Sequence, residues 1–497
     1  MSANPLKQLA GQTAIYGVST VLGRFLNYLL VPLHTYVFLR AQYGVVTELY
    51  AYIAFLMIIL TYGMETAYFR FNEKAEKSRD SVYSTVMISI LSTTALFFLL
   101  VFLFSGDLAS MVEHGDHREY ILYIAMIVGF DAISAIPLAR LRAENKPKRF
   151  AVVKLTNIGV NIGLNLLLLL AFPWLIKQDV PLVADFLKLF HSGETQVGYI
   201  FLANVFASAT QVIMLSPEFR KINRRLSIAL WKEMAVYAMP LLVFGLAGIM
   251  NETLDRILLK YLLPQSHEES MAQLGIYGAC YKISILMTIF IQAYRYAAEP
   301  FFFSKAKNKD AKEMYAMMMN YFVIAGAVIF LGTMLYLDII INFINEKYWV
   351  GRDVIPILLM ANLFLGIFYN LSIWYKLTNK TRFGAYLSIG GAIITVALNI
   401  YWIPKIGYMG SAWATFACYS AMMLASYFIG RKFYPVAYNI PKAFGYIGLS
   451  VLMFFAADKL NLQIPTLKWT VHTLLFLSFI GFVFLMERKQ LTDIAKG

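Results

Sequence analysis

Apolar residues in this chain come in long, continuous runs separated by short polar stretches, rather than in short alternating segments. A run of about 20 apolar residues is what a helix needs to cross the hydrocarbon core of a bilayer. Fourteen such runs can be delimited, at 11–36, 43–66, 81–104, 119–141, 151–173, 198–217, 233–261, 273–298, 315–338, 353–375, 384–403, 409–430, 442–457 and 467–486. A transmembrane β-barrel would need strands of about ten residues with alternating hydrophobicity. The first run is long and lacks a small-residue cleavage site, so it reads as a span and not as a removable signal peptide. The pattern predicts an all-α polytopic membrane protein of about fourteen transmembrane helices.

Composition agrees. Of 497 residues, 59% are hydrophobic, 15% aromatic and 14% charged, and the mean hydropathy is +0.62. Ordinary soluble domains carry about 25% charged residues, so this chain cannot cover a water-facing surface. Lys and Arg set the orientation, because cationic loops stay on the cytoplasmic side. With the N-terminus inside, inside segments and their flanking span ends hold 29 of the 43 cations and outside segments 10. Four remain within spans: Arg24, Arg256, Lys282 and Arg295. Both termini are therefore expected in the cytoplasm. The net charge of +14 is mostly topology, and without a basic face on a soluble module it does not point to nucleic acid. Cys280 and Cys418 both fall inside spans, so no disulfide framework is implied.

One stretch is written twice. NKPKRFAVVKLTNIGVNIGLN begins at Asn145, and NKTRFGAYLSIGGAIITVALN begins at Asn379. Both open Asn-Lys, carry a cation at the fourth place (Lys148, Arg382) and end on Asn (Asn165, Asn399), at an ungapped offset of 234 residues. A fainter echo pairs YGVVTELY at 43–50 with LGIYGACY at 274–281, sharing Gly44/Gly275 and Tyr50/Tyr281. The echoes open the fifth and eleventh runs, and the second and eighth. The chain thus reads as a six-helix lobe at 1–230, a second at 231–432, and two further helices at 433–497. Six spans is an even number, so the lobes share one orientation, as in transporters whose parallel repeats bind substrate between them.

The segment MNETLDRILLKYLLPQSHEESMAQLGIYGACYKISIL (250–286), followed by AYRYAAEPFFF (293–303), resembles the polysaccharide-transporter branch of the multidrug/oligosaccharidyl-lipid/polysaccharide exporter superfamily. The elements that carry the likeness are Leu254-Asp255-Arg256, Leu274-Gly275-Ile276-Tyr277 and Glu299-Pro300-Phe301. The resemblance implies a bacterial inner-membrane O-antigen or oligosaccharide flippase that turns over an undecaprenyl-diphosphate-linked glycan. It further implies membrane lipids and polysaccharide-assembly proteins as partners. Lipid II flippases share the fourteen-helix plan and are the runner-up. Drug exporters of the superfamily have twelve helices and an acid in the first, whereas here the first run carries Arg24 and no acid.

Ionisable groups at bilayer depth are expensive and point to function by default. Arg24, with Asn27 one turn on, is expected to bind the diphosphate together with Arg256, Lys282 and Arg295, since an Arg fork makes paired charge-assisted bonds to phosphate. Bland readings stand beside this one. Glu252–Arg256 and Arg295–Glu299 have the spacing of intrahelical ion pairs. Asp131, Glu252 and Asp255 are candidates for ion coupling, with a helix-to-helix hydrogen bond as the alternative for Asp131. Glu48 and Glu65, near the ends of the second run, are weaker candidates. His114 and His117, three apart in an outside segment, fit solvated side chains better than a zinc site.

No Gly-Lys pair exists for a P-loop, which leaves a proton or sodium gradient as the drive and no cofactor. An enzyme such as a polysaccharide polymerase would be expected to carry an acid-rich external domain. The longest outside connection, about 174–197, has only Asp179, Asp185 and Glu194.

Overall fold

The computed structural model describes residues 22–23, 25–74, 79–178, 196–223, 227–306, 308, 310–460 and 462–496. Among these the regular structure is helical throughout. In chain order the principal helices are α1 (Leu30–Val37), α2 (Arg40–Thr61), α3 (Met64–Lys74), α4 (Arg79–Met111), α5 (Arg118–Ala143), α6 (Pro147–Leu166), α7 (Gly198–Met214) and α8 (Ile228–Leu262). They continue as α9 (His267–Lys305), α10 (Ala311–Leu335), α11 (Val354–Leu371), α12 (Arg382–Ile406), α13 (Tyr408–Phe433), α14 (Ile440–Lys459) and α15 (Pro465–Lys496). Twelve helical segments among the described residues are long and apolar enough to cross a membrane, and α7 is a shorter apolar helix where the sixth span is predicted. Much of the first predicted span, Arg24 included, lies outside the described residues.

Local irregularities have local causes. The second run is one span in the sequence but breaks between α2 and α3, where Tyr62 and Gly63 both take positive φ, 31° and 75°. Helix α6 runs through a π-helical turn at Leu167–Ala171 into Phe172–Lys177.

Contacts group the chain into two compact units, 1–278 and 279–497, with the division inside α9. In the first, α5 lies against α2, α3, α4 and α6, while α7 packs on α5 and α6. In the second, α13 lies between α11 and α12, and α10 holds α11, α14 and α15. The last contact is a core of Ala327, Leu331 and Leu335 from α10 with Tyr446 and Ala457 from α14 and Phe479 from α15.

The written-twice stretch folds the same way twice. Asn145 and Asn379 follow helix ends in the left-handed conformation, φ 53° and 57°, which Asn tolerates better than most residues. After Asn145, the Lys146 amide donates to Leu141 O (2.8 Å) and the Asn145 amide to Arg142 O (3.1 Å). After Asn379, the Lys380 amide donates to Tyr375 O (2.8 Å) and the Asn379 amide to Lys376 O (3.4 Å). Both are Schellman caps, which satisfy carbonyls that a helix end leaves over. Twenty residues on, Asn165 and Asn399 are both fully buried. Each donates Nδ2 to the carbonyl four residues back, Asn161 (2.8 Å) and Thr395 (2.7 Å).

The fainter echo meets itself. A Cβ on Gly275 would lie 2.9 Å from the Arg40 carbonyl carbon and from the Gly44 amide nitrogen, and nearer still to Arg40 O. A Cβ on Gly44 would lie 2.8 Å from the Met271 carbonyl carbon. Arg40 and Met271 stand at the same offset as the two glycines, so α2 and the start of α9 cross backbone to backbone with local two-fold reciprocity. Small residues permit such close approach in membranes.

Candidate functional site

The largest cavity described lies in the second unit, among α10, α11, α13 and α14, with the start of α15 at its rim. Its volume is about 820 Å³, inside the range of ligand sites. Phe330, Met360, Phe364, Phe416, Phe444 and Phe454 supply much of its wall. Asp338, Arg352, Asp353, Asp458, Lys468 and His472 stand round the mouth. Five of these have partners: Lys468 pairs with Asp338, Arg352 Nε lies 3.9 Å from Asp353 Oδ1, and His472 Nδ1 lies 2.5 Å from Leu335 O. A second cavity of about 170 Å³ shares Phe364, Phe444 and Ile447 with the first and reaches Asn320 and Tyr438. The two make an apolar groove along α10 and α14 with charge at one end. Long spans with aromatic and Met side chains fold locally into smooth helices and leave this groove between them. Its apolar wall suits an extended apolar chain.

The sequence-predicted residues distribute as follows. Asn27 is exposed and accepts from Asn161 Nδ2 at 3.4 Å. Asp131, half-buried in α5, accepts from Gln211 Nε2 of α7 at 3.5 Å and interacts electrostatically with Lys154 of α6. Asp255 is buried, with Tyr277 donating to it at 2.5 Å and the Arg256 amide at 2.9 Å. Glu252, one turn earlier on α8, is exposed, and Arg256 is half-buried. Lys282 is half-buried in the second unit. Arg295 reaches Glu299 at 3.5 Å and stacks over Tyr369, 4.1 Å from the ring centre. Lys376 reaches the same carboxylate at 2.6 Å. Arg295 thus sits in an ion cluster with cations on both sides of one acid. Glu65 pairs with Arg142.

Two charged clusters in the first unit were not legible as such in the sequence. At one, Glu218 is fully buried and takes Arg149 (2.8 Å), Lys221 (2.7 Å) and, more distantly, Arg140 (3.8 Å). Arg140 also binds Glu144 (2.5 Å) and Asp80 (3.0 Å). Despite partial burial, Lys146 and Arg140 hold the Glu144 carboxyl down to about 2. At the other, Lys260 and Glu48 have no exposed side-chain surface and pair at 2.9 Å. His114 completes the pair, with Nε2 2.8 Å from Glu48 Oε2. His114 is therefore buried, unlike the solvated side chain expected of an outside loop, because a fully buried carboxylate draws it in. The sequence signal is that Glu48 and Lys260 both lie towards the outer ends of their runs.

A family profile described as polysaccharide biosynthesis protein matches residues 9–307, more than half of the chain. The chain belongs to that family. No curated protein matches it in sequence. Among solved structures, the lipid II flippase MurJ in an inward closed conformation superposes with a TM-score of 0.67 at 14% identity, covering 97% of this chain and 99% of MurJ. A MATE in complex with MaD3S gives 0.58 at 12% identity, over 86% and 96%. An inward-facing multidrug resistance MATE gives 0.57 at 13% identity, over 84% and 94%. The family and the shared fold place the chain in the multidrug/oligosaccharidyl-lipid/polysaccharide exporter superfamily, as a multi-pass membrane protein.

Proposed function

We propose that this protein is a bacterial inner-membrane flippase that moves an undecaprenyl-diphosphate-linked oligosaccharide from the cytoplasmic to the periplasmic leaflet. The observation that carries the reading is the apolar groove of the second unit with charge at its mouth. A polyprenyl chain is apolar and extended, while its diphosphate is anionic and needs cations. The groove offers the first surface; Arg24, Arg256, Lys282 and Arg295 are the cations that the sequence assigns to the diphosphate, and the described ones among them lie outside the groove lining. Both termini lie in the cytoplasm, in accord with the Lys and Arg count. Two six-helix lobes, at 1–230 and 231–432, alternate access to the site. A proton or sodium gradient drives the cycle. Asp255 and Asp131, each bonded across to another side chain, are the acids assigned to coupling, with Glu252 exposed on the same helix as Asp255.

A second reading is a lipid II flippase. It is favoured by the reach of the MurJ likeness over 97% of this chain, where the two MATE structures reach 86% and 84%. The test is lipidomic. Cells lacking the gene should accumulate one lipid-linked intermediate in the inner leaflet, and its headgroup names the substrate. A glycan other than the peptidoglycan precursor supports the first reading, and lipid II the second. Unchanged lipid-linked intermediates would refute both.

A further inference from the structure

We propose that Glu48, Lys260 and His114 form a proton-operated latch at the outward end of the first unit, where the entry of one proton releases Lys260. The proposal rests on the reading of the chain as a gradient-driven transporter and gives that drive a site outside the acids assigned to it above.

The geometry joins four pieces of chain. Lys260, at the end of α8, donates to Glu48 Oε1 of α2 at 2.9 Å and to Val112 O of the turn after α4 at 2.5 Å. His114 of that turn meets Glu48 Oε2 at 2.8 Å, and Tyr52 donates to Oε1 at 2.9 Å. The turn is also held from outside, by Glu113 in the left-handed conformation (φ 59°), 3.6 Å from Lys260 Nζ and 2.9 Å from His267 Nδ1 of α9. Tyr261 lies beside Lys260 and Tyr52, and Tyr120 of α5 meets the His114 ring edge to face. His117 turns instead to Glu119 and stacks on Tyr120.

A buried Glu–Lys pair resists separation, since parting it strands charge in apolar surroundings. A proton removes that obstacle. With His114 Nε2 donating to Glu48 Oε2, Nδ1 takes a proton from outside, and the imidazolium becomes the counter-ion of the Glu48 carboxylate. Lys260 keeps its ammonium as it moves to water. One proton enters and no unpaired charge remains buried, so α8 parts from α2 and from the turn after α4. The pairing makes closure the resting state and acid on the outside the signal to open.

The test uses the full purified chain in nanodiscs without substrate, with Cys280 and Cys418 replaced by Ser and spin labels on Met111→Cys and Gln265→Cys. The label-to-label distance should lengthen between pH 8 and pH 5. Glu48→Gln should give the longer distance at every pH. Should Glu48→Gln not fold, the double change Glu48→Gln/Lys260→Met, which strands no charge, should show the same loss of pH response. His267→Gln should keep the response. A wild-type distance that ignores pH, or a Glu48→Gln or double-variant distance that still follows it, would overturn the latch and leave lipid transport untouched. An intact response in a protein that moves no lipid would fail the transport reading instead.

Discussion

The crossing of α2 and α9 at Gly44 and Gly275 yields a sharp test, because the obstacle to a methyl group there is backbone. In Gly275→Ala the new Cβ would start 2.9 Å from the Arg40 carbonyl carbon and the Gly44 amide nitrogen, closer still to Arg40 O, and ordinary contact begins at 3.4 Å. No rotamer change relieves this, and the Arg40 O contact sets the scale, so the two helices must part by about 1 Å or more along their contact. Overpacking of a tight core costs about 1–3 kcal/mol, and a rigid wall places this site at the upper end. Replacing a helical glycine by alanine returns about 1 kcal/mol in propensity, for a net loss of about 2 kcal/mol. At about 2 °C per kcal/mol for a domain of this size, the melting temperature should fall by about 4 °C. Gly248→Ala in α8 is the matched control, since no atom lies within 4 Å of its new Cβ; it should melt at or slightly above wild type. Buried, free Cys280, five residues from the crossing, makes the assay direct, because a thiol-reactive dye reports its exposure on heating. Gly44→Ala should cost as much as Gly275→Ala, and the double variant less than the sum, because one separation accommodates both methyls. Coincident melting of the Gly275→Ala and Gly248→Ala proteins would refute the backbone crossing.

Three further outcomes follow from the sites described. Glu218→Gln, which leaves Arg149, Lys221 and Arg140 without their shared buried carboxylate, should lower stability by about 3 kcal/mol, read by the same thermal assay. Glu144 has a folded pKa depressed to about 2, so its contribution is complete above the unfolded carboxylate value and is lost as pH falls towards 2; Glu144→Gln should flatten that part of the melting-temperature profile, and an unchanged profile would refute the assignment. Gly448 lines the large cavity with open space where its Cβ would be, so Gly448→Phe should leave melting unchanged while abolishing complementation of a gene deletion, and full complementation would sever the cavity from transport.

The helices were legible because lipid as solvent forces long apolar runs, and the repeat was legible because its caps need particular residues: an Asn able to take positive φ at 145 and 379, and a buried amide at 165 and 399. The break after Thr61 was not, since the hydropathy of 43–66 runs straight through Tyr62 and Gly63. Among the ionisable residues, sequence spacing identifies partners on one helix, such as Arg295 and Glu299. It cannot pair Lys260 with Glu48, 212 residues away, or give Asp131 its neighbours on α6 and α7. The cavity was equally hidden, because Phe330, Phe416 and Phe444 look like any lipid-facing aromatics until three helices bring them together.

The doubled helix stop at Asn145 and Asn379 also bears on how the chain enters the membrane. Cations beside a helix end hold that end on the side where the chain is made, and each stop is followed at once by Lys146 or Lys380. At about 5–20 residues per second, two signals spaced by 234 residues leave the ribosome roughly 10–50 s apart. The later helices therefore receive their own orientation cue long after the earlier ones have met the bilayer.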